Sequence, residues 1–135
     1  MRDRTNVLLL GNDATRIAPL LETLGRAARV CWVEDLPEAL QKLAQQDFQA
    51  VFVDWDFYCG SWREALQRIQ ELYPALPVIV LGTPQEDRLW EQQWKEAVEA
   101  GAFDLLPSIE NRMAVLLVLE QAVASSEARA RGAVA

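Results

Sequence analysis

Five short apolar runs, Val7 to Leu10, Val30 to Val33, Ala50 to Val53, Val78 to Leu81 and Phe103 to Leu106, are separated by segments of helical length. Each run is too short for a helix and rich in Val, Ile, Leu or aromatic residues, the pattern of a strand buried on both faces. Such strands need cover on two sides. Their strict alternation with helices therefore implies a doubly wound parallel sheet, an α/β domain of five βα units.

The helices carry explicit start signals. Asp35 and Glu38 have the D-x-x-E form, Ser61 and Glu64 form a Ser-x-x-Glu capping box, and Thr83 with Glu86 repeats the pattern around Pro84. The spacing predicts helices over residues 14–25, capped by Asn12 or Asp13, then 36–46, 62–72, 85–100 (closed by Gly101) and 109–124. Residues 1–124 are thus expected to form the domain. Residues 125–135, where apolar periodicity is lost, are expected to be a frayed helix end or a linker stump.

At 135 residues the chain is long enough to bury a core without staples. The apolar start before Gly11 is too short for a signal-peptide core, and no run approaches a membrane span, so a cytoplasmic location is expected. The two cysteines, Cys31 and Cys59, form no framework and are expected to be reduced. A net charge of −7 argues against direct nucleic-acid binding. Residues 81–110 hold seven acids (Glu86, Asp87, Glu91, Glu96, Glu99, Asp104, Glu110) against Arg88 and Lys95. That segment is either a solvated face or a docking face for a basic partner.

In an open parallel sheet, reacting groups collect at the carboxyl ends of the strands. The relevant loops are Gly11-Asn12-Asp13, Asp54-Trp55-Asp56, Gly82-Thr83-Pro84 and Pro107-Ser108. A carboxylate cluster of Asp13, Asp54 and Asp56 could face one pocket there. No Gly-rich phosphate loop follows any strand, there is no His, and no Ser or Cys has a base partner. A small flavodoxin-like enzyme or nucleotide binder is accordingly the weaker alternative, and the chain is not expected to be an enzyme.

Three runs carry a family resemblance: Asp47-Phe48-Gln49-Ala50-Val51-Phe52-Val53-Asp54, Leu76-Pro77-Val78-Ile79-Val80-Leu81-Gly82-Thr83, and Glu99-Ala100-Gly101-Ala102-Phe103-Asp104-Leu105-Leu106. In order and spacing, from Val7 to about Val123, the chain resembles the receiver domain of bacterial two-component response regulators. The resemblance implies a flavodoxin-like sheet of strand order 2-1-3-4-5 and a phosphorelay switch in which Asp54 is the phospho-acceptor. It also implies Mg²⁺ held beside that Asp by an acidic pair, because a carboxylate attacks an anionic phosphoryl group only when cations neutralise the charge.

The chain departs from that apparatus at several positions. Gly11 and Asn12 stand where the acidic pair belongs, and Asp13, one place later, reads as a helix cap or as a salvaged metal ligand. Gly82 stands where a Ser or Thr would hold the phosphoryl oxygen; Thr83 follows it as a cap. Ser108 replaces the expected Lys, and the only lysines, Lys42 and Lys95, fall inside predicted helices. Leu105 replaces the switch aromatic. The reading is an atypical receiver acting through protein contacts, with no cofactor beyond weak Mg²⁺; the alternative is a functional phospho-acceptor holding Mg²⁺ through Asp13, Asp54 and Asp56 in a shifted site.

The implied partners are an output or effector domain, a sensor histidine kinase, and a second copy of the chain. Trp90, Trp94 and Val98 share a stripe on the fourth helix, and the fifth helix is apolar nearly all round from Met113 to Leu119. A homodimer through the fourth helix, fifth strand and fifth helix is expected, with Trp90, Trp94, Leu116 and Val118 at the interface.

Overall fold

A computed structural model describes residues 5–54, 62–82, 87–106 and 111–134. The order is β1 (Asn6–Leu10), α1 (Ala14–Gly25), β2 (Arg29–Val33), α2 (Leu36–Gln45), β3 (Ala50–Asp54), α3 (Trp62–Leu72), β4 (Val78–Leu81), α4 (Asp87–Glu99), β5 (Asp104–Leu106) and α5 (Arg112–Val134). All strands run parallel in one sheet of order β2-β1-β3-β4-β5.

Side-chain alternation divides the sheet between two cores. Leu8, Leu10, Val51, Val53, Val78 and Val80 face one side, against Ala39 and Leu43 of α2, Leu66 and Ile69 of α3, and Ala97 of α4. Val7, Leu9, Phe52, Ile79 and Leu81 face the other, against Ile17, Leu20 and Leu24 of α1 and Val115, Val118, Leu119 and Ala122 of α5. The three inner strands are almost wholly buried. β2 is the exception to two-faced burial: it is an edge strand, and Val30, Cys31 and Trp32 are only partly covered.

Local chemistry sets the boundaries. The Asp35 carboxylate accepts from the Glu38 amide at 2.8 Å, and Gly101, at φ 102°, ends α4 in a conformation that suits a residue without a side chain. The caps expected at Ser61 and Thr83, and Cys59, lie outside the described residues; Cys31 is a free thiol.

The fifth helix departs from the expected 109–124 at both ends. Asn111 caps it, accepting from the Ala114 amide at 3.1 Å, and the helix continues through Val134, so of the two readings of the chain's end, a frayed helix end or a linker stump, residues 125–134 take the helical one. Ala, Glu and Arg sustain a helix by propensity without a buried stripe, which is why lost periodicity did not mark its end. A second correction concerns Val118. Only 8% exposed, it packs in the sheet core and cannot be a contact residue, whereas Leu116 and Leu117 are 36% and 55% exposed.

Charging the core position should therefore unfold, not merely dissociate. Val118→Glu is expected to cost more than about 3 kcal/mol in urea denaturation and Leu117→Glu under about 1 kcal/mol. Equal effects would contradict this placement.

Candidate functional site

The carboxyl edge of the sheet brings together the ends of β1, β3 and β4. β1 runs out into Gly11, whose amide donates to the Val33 carbonyl at 3.1 Å and whose carbonyl accepts from the Trp32 indole at 2.7 Å. Asn12 is exposed. Asp13 is the α1 cap: its carboxylate accepts from the Thr15 and Arg16 amides at 3.1 and 3.3 Å. Because the cap fixes the first turn, Arg16 leaves α1 over the strand ends.

Asp54 closes β3, paired in register with Leu81 of β4, and is 1% exposed. An ionised carboxylate so deep requires a countercharge. Arg16 provides one: its Nε donates to Asp54 Oδ1 at 2.8 Å, and its Nη2 donates to the Gly82 carbonyl at 2.6 Å and reaches the Leu81 carbonyl at 3.5 Å. One planar guanidinium thus spans the ends of β3 and β4, a geometry that a Lys ammonium could not match.

The neighbouring glycines admit this packing. A Cβ at Gly11 would lie 2.8 Å from Ile17 Cδ1, so an acid there would displace that core side chain. A Cβ at Gly82 would sit 3.4 Å from both Leu105 Cδ1 and the Leu106 carbonyl oxygen, and 3.5 Å from Gln93 Oε1, ordinary contact distances that leave room for a side chain's first carbon. Leu105 is 3% exposed and fixed in the core. Asp56, Thr83 and Ser108 lie outside the described residues, as does the Trp90 side chain; Trp94 is 48% exposed and Val98 42%.

Of the expected carboxylate cluster, Asp56 lies outside the described residues, and the two described acids are engaged elsewhere. Asp13 faces its own helix, Asp54 faces Arg16, and no group of three His, Cys, Asp or Glu side chains there is placed to hold a metal. A hard cation such as Mg²⁺ wants several oxygen ligands, and these donors do not fit it. Arg16 is not among the site residues expected from the sequence, where it falls in the first turn of a predicted helix beside Ile17, Leu20 and Leu24, the stripe that the structure buries. Its signal is legible in hindsight: it stands one turn before Leu20, on the rim of that stripe, and the strand ends supply a buried acid with no Lys to meet it.

No family model matches the sequence, and no curated protein matches it. Solved structures do. The signal receiver domain of an HD domain-containing protein from Pseudomonas fluorescens is 22% identical, with a TM-score of 0.80 over 97% of this chain and 95% of that one. A response regulator receiver domain protein from Clostridium thermocellum is 17% identical, with a TM-score of 0.78 over 91% and 97%. NtrX from Brucella abortus, in complex with ADP, is 17% identical with a TM-score of 0.82; the match covers 97% of this chain but 29% of that one. The chain has the receiver-domain fold, the flavodoxin-like 2-1-3-4-5 arrangement that the sequence implied.

Mn²⁺ serves as a paramagnetic substitute for a hard cation. Amide resonances of Gly11, Asp54 and Gly82 should broaden no more than those of β2 as Mn²⁺ is added. Selective, saturable broadening of those three would show that the strand ends do hold a cation.

Proposed function

We propose that the chain is a receiver module of the two-component type that signals through protein contacts, with its phospho-acceptor position closed by an internal ion pair. The observation that carries this reading is the Arg16 guanidinium on Asp54 Oδ1 and the Gly82 carbonyl. For phosphoryl transfer, a carboxylate oxygen must be free to attack phosphorus, and the cations must sit on the phosphoryl oxygens, where negative charge accumulates. Here the guanidinium neutralises the carboxylate itself. Gly11 and Asn12 offer no acids, and Gly82 offers no hydroxyl.

Contact surfaces fit the same reading. α4 and α5 both pack on β5, from opposite faces of the sheet. They carry exposed apolar side chains, Trp94 and Val98 on α4 and Met113, Leu116 and Leu117 on α5. An output domain or a second copy of the chain docking over that edge would bury them. A sensor kinase is the partner of the second reading, in which Arg16 swings aside and Asp54 accepts a phosphoryl group. Retention of a carboxylate at the end of β3 favours that reading.

Incubation with acetyl phosphate and Mg²⁺, followed by intact-protein mass spectrometry, separates the two. No phosphoryl adduct should form. A stoichiometric adduct that disappears in Asp54→Ala would overturn the proposal and establish the second reading.

A further inference from the structure

The opposite end of the molecule holds a feature that this function does not use. The loops entering β3 and β4, around residues 46–48 and 73–76, lie at the amino ends of the strands, across the sheet from Asp54. A 23-residue helix is about 34 Å long, whereas a five-residue strand spans about 17 Å, so α5 passes beyond the sheet. Ala122 is fully buried, residues 123–128 are partly or wholly exposed, and one turn after Ala122 Ser126 meets the two loops across a cavity of ≈ 390 Å³.

That volume falls within the roughly 300–1,000 Å³ of small-molecule sites, and the lining has their composition. The floor is Phe48, 8% exposed and continuous with the core, beside Tyr73. Leu72, 50% exposed, stands in the wall, an apolar side chain that water would otherwise wet. Polar groups are few. Among the described residues, Asp47 brings a carboxylate with no ion pair, and no Lys or Arg lines the cavity. Two aromatic rings beside one acid favour a cation through both the carboxylate and the ring faces.

We propose that this cavity is a binding site for a small amphiphilic organic cation, with its apolar body between Phe48, Leu72 and Tyr73 and its charged head at Asp47. The net charge of −7 draws the same class of ligand toward the surface. Since Ser126 belongs to α5, an occupant would also brace the overhanging half of that helix against the two loops. The inference is independent of the state of Asp54.

Phenethylammonium is a suitable probe, with 3-phenylpropionate as its anionic counterpart, both followed by amide chemical shifts of the full chain. The cation should produce saturable shifts confined to residues 46–48, 72–76 and around Ser126. Binding should be about fivefold weaker for the anion and for Asp47→Asn, the worth of one exposed charge pair. Ala75→Trp, at an exposed turn position lining the cavity, should abolish it. Absence of saturable, localised shifts, or equal affinity for cation and anion, would overturn the proposal. So would shifts at these residues that follow protein concentration instead of probe, which would mark a contact between copies.

Discussion

A carboxylate at the buried end of a central strand is the constraint around which the carboxyl edge of this sheet is built. Asp54 is 1% exposed, and taking an ionised carboxyl group out of water costs several kcal/mol unless charge and hydrogen bonds return it. Arg16 supplies a full positive charge at 2.8 Å and turns its Nη2 donors to the carbonyls at the end of β4. The ends of β3 and β4 are thereby tied to the first turn of α1, and the tie depends on the Asp13 cap that sets that turn.

Gly11 follows from the same arrangement. It gives Ile17 room in the core below Arg16, and an acid there would push against that packed side chain before it added any chemistry. Gly82 carries no such constraint: a Cβ there would meet Leu105 and Gln93 at ordinary contact distance, and what the residue contributes is the carbonyl that Arg16 grips.

Most of the fold was legible because strands buried on both faces leave an apolar run with little ambiguity. The run from Val78 to Leu81 and the helix from Trp62 to Leu72 have the bounds read from the sequence, and β1, β2 and β3 differ by one residue at an end. The end of α5 was harder to read because periodicity reports burial, and residues 124–128 are helical while only partly buried or exposed. Val118 was misplaced for a related reason: in a run apolar all round, pattern alone does not say which stripe meets the sheet. At the site, Gly11, Asn12, Asp54 and Gly82 could be read one by one. The ion pair could not, because Arg16 and Asp54 are far apart in sequence and meet only when α1 packs over the sheet.

The coupling between those two side chains is the quantity on which the account stands. A double-mutant cycle with Arg16→Met, Asp54→Leu and the pair combined, read by urea denaturation, measures it directly. Either single change should cost about 3 kcal/mol, by stranding a buried charge or a cation's donors. The double variant should cost no more than either single change alone, giving a coupling of about 3 kcal/mol. Additive losses, with a coupling under about 0.5 kcal/mol, would mean that Arg16 does not serve as the countercharge of Asp54.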